Sequence, residues 1–315
     1  MKNERFYKIL GMIIATGSLG ARGLSCGPCS DVATVVVLVL PPSSDGGIAD
    51  AGEEDGDLEV PCDKYCGIGA ISCEATTIAL DDGGVMPAVE CVQYNGGCGA
   101  GRRPEGLERP GFAQDARTEA GWLARAAFLE AASVAAFRLL RSDLRALGAP
   151  RRLLRAASRA ARDEKRHARR MRALARRHGA SIPAPRVLAQ EAITLEALAA
   201  HNAAEGCVRE TFGALIARWQ AEAAGDREVR SSMARIAGDE SRHAALAWQI
   251  DAWAQRRLDK HGQARVGRAR EEAARALLAE IAQGPSGGAS EALGIPARPV
   301  ADKLARRMFR ALAIA

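Results

Sequence analysis

From about residue 115 onward, apolar residues recur every three or four positions over long stretches, interrupted only by short segments containing Gly or Pro. That period predicts successive amphipathic helices. The first runs from about Asp115 to Leu147 and stops at Gly148-Ala149-Pro150. A second starts at Pro150, a residue suited to a first helical turn, and ends at His178 with Gly179 as its cap. After the link ASIPAPR, a third helical region spans residues 187–224 and closes at Gly225. A fourth begins at Asp226 as N-cap and extends to His261 before Gly262. An amphipathic segment over 263–283, the loop QGPSGGAS and a short helix over 299–313 complete the chain. Before residue 101 the pattern is different. An apolar stretch over 9–19 follows Lys2, Arg5 and Lys8, VATVVVLVL (32–40) reads as a buried strand, and AVECVQY (88–94) reads as another. The fold class expected is therefore mainly α: a four-helix bundle with extra C-terminal helices, preceded by a small cysteine-rich module.

The changes in texture suggest divisions along the chain. Residues 1–25 have the order of a secretory signal, and their apolar core is too short to span a bilayer, which needs roughly 20 apolar residues. Small residues lead to Cys26, the position of a lipid anchor in lipoproteins, although Gly23 replaces the usual Leu. The segment 26–60 combines the first strand with an acidic, Pro/Gly/Ser-containing linker over 41–60. Residues 61–100 form the cysteine-rich module, 101–114 a connector within and after the Gly/Pro-rich stretch GAGRRPEGLERPG (99–111), 115–262 the bundle and 263–315 the C-terminal helices. Seven of the eight cysteines precede residue 100. With Cys26 set aside as lipidation candidate, Cys29, Cys62, Cys66, Cys73, Cys91 and Cys98 suffice for three disulfides, as an exported chain favours. Their spacing lacks the paired CxxC of a zinc site. These features point to export, to a periplasmic location or a lipoprotein of the outer or cell membrane. The formal charge is +6, and only six of 44 basic residues are Lys. No aromatic residues interleave with the arginines, so nucleic acid is not an expected partner.

The same phrase occurs twice, as DEKRHA from Asp163 and DESRHA from Asp239. Pro150 to Glu164 and Asp226 to Glu240 are each 14 residues, so each phrase sits at one depth on the second helix of a helical hairpin. Two hairpins marked at equal height make a bundle with pseudo-twofold symmetry, whose core can hold a site built from facing helices. Residues three apart share a helix face, as Glu164 and His167 do, and Glu240 and His243. Ala157, Ala160 and Met171 flank the first pair, while Met233, Ile236 and Ala247 flank the second. On the preceding helix Glu130 falls in angle with Leu123, Ala127 and Phe137. Carboxylates aimed into an apolar core cost several kcal/mol unless paired or bound to cations. Converging carboxylates outnumber the two histidines, and carboxylate plus imidazole donors suit iron or manganese.

The third helical region offers two further donors. Glu205 precedes Glu240 by 35 residues, close to the 34 between Glu130 and Glu164. Glu210 and Glu240 are each 15 residues from Gly225, so Glu210 is level with its partner. A spacing of five does not share a face in a regular helix, but a one-residue π-bulge would turn both inward. Both are therefore candidate ligands, with Glu205 placed first.

A Glu on one helix and Glu-x-x-His on the next, repeated, resembles the ferritin-like di-iron carboxylate proteins, including rubrerythrins and bacterial di-iron monooxygenases. The Asp-Glu-x-Arg-His form is most similar to the monooxygenase version, and the stretches EAASVAAF and EGCVRETF look like bacterial ferritin-like proteins with a cysteine-rich leader. The resemblance covers about residues 115–261. It implies Glu130, Glu164, His167, Glu240 and His243 as ligands of two iron ions, with manganese or a mixed pair as alternatives. It also implies Asp163 and Asp239 as partners that hold the histidine rings. The activity implied is an oxidoreductase acting on dioxygen or peroxide, with a separate electron donor. Non-catalytic iron or manganese binding, a ferroxidase role and a metal-free structural lipoprotein are the alternatives.

Overall fold

The computed structural model describes residues 34–39, 70–79, 85–93, 101–108, 111–113, 118–188, 193–283 and 291–314. The expected signal segment, Cys26, Cys29, the acidic linker and Cys62, Cys66 and Cys98 lie outside them. The chain divides into two units, a smaller one over Asp31–Gly96 and a larger, mainly helical one.

The smaller unit contains three antiparallel strands, β1 (Thr34–Val39), β2 (Ala70–Ala79) and β3 (Val85–Gln93), in the order β1-β3-β2. The residue pattern separates a strand-plus-linker segment from the cysteine-rich module at residue 60. Pairing of β1 with β3, Thr34 opposite Gln93 and Val39 opposite Ala88, joins the two sides of that division in one sheet. Cys73 and Cys91 are backbone register partners on β2 and β3.

The larger unit contains α1 (Glu119–Ala146), α2 (Arg151–Arg177), α3 (Leu195–His201), α4 (Thr211–Ala223), α5 (Arg227–Gln255), α6 (Lys260–Gln283) and α7 (Arg298–Leu312). A π-helix over Asn202–Glu210 joins α3 to α4 without a break. Caps set the main boundaries: the Thr118 hydroxyl accepts from Gly121 N at 3.0 Å, and the Asp226 carboxylate accepts from Glu228 N and Val229 N. Gly148 and Gly179 close α1 and α2 at φ 71° and 73°, where a side chain would be strained.

Two helix boundaries differ from the expectation. The third helical region starts at Leu195, not near Val187. Two prolines (Pro183, Pro185) oppose helix there, and Val187 instead bridges to Leu107 of the connector, with Glu108 N donating to Arg186 O at 2.9 Å. The fourth helix ends at Gln255 rather than His261, because Asp259 caps a new helix by accepting from Gly262 N at 2.7 Å.

Helix α1 packs along α2, the π-helix and α4 pack along α5, and α2 packs against α5, so two helical hairpins meet through their second members. The core between them is layered. One apolar cluster joins Leu123, Met171, Leu174, Val229, Met233 and Ile236. Another joins Phe137, Leu153, Ala160, Leu246, Ile250 and Trp253. Along each helix the repeated phrase lies between these two clusters. Both apolar layers exclude water from the level they enclose, and that level is polar. A third cluster seats α6 and α7 on the outer side of α4 and α5 through Phe212, Leu277, Leu304 and Met308.

Candidate metal centre

Three helices place acids and imidazoles at the polar level because their apolar neighbours must face inward. On α2 the inward residues Ala157, Ala160, Met171 and Leu174 carry Glu164 and His167 with them, and both are buried. On α5 Ile236, Ala237, Ala244 and Ala247 do the same for Glu240 and His243, and on α1 Ala126, Ala127 and Phe137 do so for Glu130. Glu130, Glu164, His167 and Glu240 each offer one ligand atom, and these atoms all lie within 4.8 Å of one another. This buried carboxylate and histidine group could bind a metal ion.

The contacts are reciprocal across the two hairpins. His167 Nδ1 lies 3.3 Å from Glu130 Oε2, 3.7 Å from Glu164 Oε2 and 3.2 Å from Glu240 Oε1. His243 Nδ1 lies 3.0 Å from Glu164 Oε1 and 3.6 Å from Glu240 Oε1. Glu164 thus turns one oxygen toward each imidazole. The two rings stand 5.9 Å apart, and Phe137 covers His243 from the apolar side.

The far nitrogen of each ring faces the acid of the opposite phrase, hydrogen-bonded in His167 and within ion-pair distance in His243. His167 Nε2 is 3.1 Å from Asp239 Oδ2, and His243 Nε2 is 3.5 Å from Asp163 Oδ2. Arg166 reaches Asp163 at 2.5 Å and Asp239 at 3.2 Å, and Arg242 contacts both acids as well. Each defined position of Asp-Glu-x-Arg-His is therefore accounted for. Glu and His face the centre, Asp orients the opposite histidine, and Arg clamps both aspartates. Burial would raise the Asp163 and Asp239 carboxyls, but their histidine and arginine neighbours hold both down at about 2.

The two candidates on the third helical region part company. The expected bulge is present as the full π-helix, and it turns Glu210 to the centre. Both Glu210 oxygens are buried and lack a hydrogen-bond partner. Burial pushes its carboxyl up to about 8, opposed by Arg102 and His243 and assisted by Glu240 and Glu164. Glu205 instead accepts from Arg103 N and its guanidinium, at 2.8–3.2 Å, and lies 3.5 Å from Arg209. Those cations overcome burial and hold it at about 2. Glu205, ranked first from spacing, is thus committed to arginines, and Glu210 occupies the level of Glu240. The 35-residue spacing that favoured Glu205 misleads because it crosses the π-helix, whereas the count from Gly225 to Glu210 does not. We expect Glu205→Gln to retain bound metal and Glu210→Gln to lose part of it, as measured by metal analysis of the purified proteins. Equal losses in the two would contradict this division.

Some residues near the centre carry no periodic signal. Arg102 and Arg103 belong to the Gly-rich connector, and a basic pair in a loop signals only solvent exposure. Yet Arg102 is 2% exposed, with Nη1 3.2 Å from Asn202 Oδ1 and 3.9 Å from Glu210 Oε2. Cys207, the eighth cysteine, is fully buried, its Sγ 3.8 Å from Asn202 Nδ2.

The fit of a cation to this centre rests on its unused atoms. Both oxygens of Glu164, Glu210 and Glu240, Oε2 of Glu130, Nδ1 of both histidines and Nε2 of His243 are buried without a hydrogen-bond partner. Nitrogen and oxygen lone pairs converge within ion-pair reach yet lack hydrogen-bond geometry, as donor atoms around an ion do. Leaving so many buried polar atoms unsatisfied costs on the order of 1–3 kcal/mol each, a penalty that bound cations remove.

In the metal-free protein protons take the place of cations. Burial would lower the His167 and His243 pKa values, but the surrounding carboxylates outweigh it and hold both well above their ordinary value. Burial and Glu164 likewise raise Glu130. Both imidazoles and the Glu130 and Glu210 carboxyls thus hold protons more tightly than free side chains do, and a cation competes with those protons. Loading is expected to release protons and to weaken as pH falls. Titration calorimetry in buffers of different ionisation enthalpy checks this, and a buffer-independent enthalpy would contradict it.

No family model, curated protein or solved structure matches the chain.

Proposed function

We propose that the helical unit is a ferritin-like four-helix bundle holding two metal ions, iron foremost, and that the protein is an exported oxidoreductase acting on dioxygen or peroxide. One observation carries this reading: donors from two hairpins, related by a repeated phrase, meet in a dry layer with their lone pairs unused. Glu130 and His167 would serve one ion, Glu210 and His243 the other, with Glu164 and Glu240 shared between them. Iron or manganese bound there would supply one-electron redox chemistry and Lewis acidity.

The protein's own groups set the conditions for that chemistry. The two apolar layers keep bulk water away from the reacting level, which strengthens every electrostatic interaction within it. Asp239 hydrogen-bonds the His167 ring and Asp163 lies within ion-pair distance of the His243 ring, and both Nδ1 atoms face the centre. Neither Glu210 oxygen has a hydrogen-bond partner, and Arg102 Nη1 lies 3.9 Å from Oε2, so the carboxylate would be held by a bound ion and biased by that guanidinium. A separate electron donor, lipidation at Cys26 and a periplasmic or membrane-attached location complete the proposal.

The test is metal analysis of the full chain expressed with export, followed by single-turnover consumption of dioxygen or peroxide. About two ions of iron or manganese per chain and a matching consumption are expected. A protein purified without bound metal, and unable to take it up, would overturn the reading. Uptake of many ions per chain would replace it with storage.

A further inference from the structure

The repeated phrases make the centre nearly symmetric, and one residue breaks the symmetry. Arg102 enters from the connector, outside both hairpins, and its Nη1 lies 3.9 Å from Glu210 Oε2. On the opposite side, the contact of Glu130 within ion-pair distance among the described residues is with His167, itself a candidate ligand.

The surroundings are shaped to admit the guanidinium. Gly101 adopts φ 113°, and a Cβ there would stand 2.4 Å from Ser133 Oγ. That hydroxyl donates to Arg102 O at 2.8 Å and fixes the backbone. Asn202, fully buried, donates from Nδ2 to Ala247 O at 2.9 Å and accepts from Arg102 at Oδ1. Gly206 leaves the remaining space, since a Cβ there would come within 2.8 Å of Arg102 Nη1. Burying a guanidinium is costly, and a purely structural strap would leave it in solvent.

We infer that Arg102 makes the two cation positions unequal: the position served by Glu210 and His243 is the weaker and fills second. Arg102 acts through Glu210 and is a positioning residue. This rests on the two-cation reading above. Its positive charge engages part of the Glu210 carboxylate and repels a divalent ion at that position, and both effects are strong where water is excluded. The arrangement of the donors points the same way. Glu130, Glu164, His167 and Glu240 already present ligand atoms within 4.8 Å of one another, whereas Glu210 and His243 fall outside that group. His243 Nδ1 stands 3.0 Å from Glu164 Oε1 and 3.6 Å from Glu240 Oε1, so what the second position lacks is Glu210, the ligand beside Arg102. A centre with unequal positions can release or exchange one ion while keeping the other, and can hold two different metals in a defined order.

Titration of the full metal-free chain with Co²⁺, followed by calorimetry and visible absorption, tests the inference. The wild type should bind in two steps with affinities differing by roughly tenfold or more. Glu210→Ala should lose the weaker step, and Glu130→Ala the tighter one. Arg102→Gln, neutral but able to keep the contact with Asn202, should narrow the gap to within about threefold, and Arg102→Lys should preserve it. Equal steps in the wild type would overturn the inference. So would an unchanged gap in Arg102→Gln, or loss of the tighter step in Glu210→Ala. Glu210→Ala and Glu130→Ala keep the test decisive if Arg102→Gln does not fold. A wild type that binds no Co²⁺ at all overturns the two-cation reading instead.

Discussion

Glu164→Ala is expected to abolish metal loading and with it the thermal stabilisation that added metal confers on the parent. Glu164 sends one oxygen toward each imidazole, with Oε1 3.0 Å from His243 Nδ1 and Oε2 3.7 Å from His167 Nδ1. It is fully buried, and neither oxygen has a hydrogen-bond partner. Water entering the space left by the side chain could satisfy the imidazoles but carries no negative charge to hold a cation between them. A ligand at 100 times its dissociation constant stabilises a folded protein by about 2.7 kcal/mol, and the variant should lose that increment. Thermal melts with and without Mn²⁺ or Fe²⁺ give the measurement, with Glu205→Gln as the variant expected to keep the metal response. A metal-dependent rise in Tm that survives in Glu164→Ala at the same concentrations would show that the cations bind elsewhere.

The second large effect is expected at a residue with no chemistry of its own. Gly206 lies in the π-helix where it crosses α5. A Cβ there would meet Ala247 Cβ at 2.5 Å, Arg102 Nη1 at 2.8 Å and Asn202 Oδ1 at 2.9 Å. Arg102 can move aside, but Ala247 is in the core of α5 and Asn202 is tied to its carbonyl, so neither of these yields easily. Gly206→Ala should therefore cost about 1–3 kcal/mol, the usual penalty of overpacking. For a unit of this size that lowers Tm on the order of 2–12 °C. It should also displace Arg102 and disturb the setting of Glu210. Gly267→Ala is the natural contrast, because a Cβ on that helical glycine meets nothing within 4 Å. There the gain in helix propensity should stabilise by about 0.5–1 kcal/mol. Equal melting points for the two variants would refute the close-packing account of the π-helix.

Both expectations concern the level at which the repeated phrase sits. The phrase itself is legible because an α-helix turns residues i and i+3 to one side, so Glu-x-x-His is a statement about direction even without coordinates. Flanking alanines and methionines then say that the direction is inward. Asp226 as a cap, and Gly148 and Gly179 as terminators, are equally local features and fall where the pattern places them, whereas α1 starts after the Thr118 cap rather than at Asp115. Residues 187–194 read as helix in the pattern but are not helical where described, because prolines and pairing with the connector outweigh a weak apolar period.

Local periodicity determined which helices exist, where most of them end, and that Glu130, Glu164, His167, Glu240 and His243 face a common interior. It could not choose between Glu205 and Glu210, because that choice depends on a π-turn and on arginines arriving from a hundred residues away. Nor could it show that each aspartate serves the histidine of the other phrase, or that Arg102 stands beside Glu210. Those facts belong to the tertiary structure for one physical reason: a helix fixes the direction of its side chains by its own geometry, whereas the charge that meets each of them is supplied by another part of the chain.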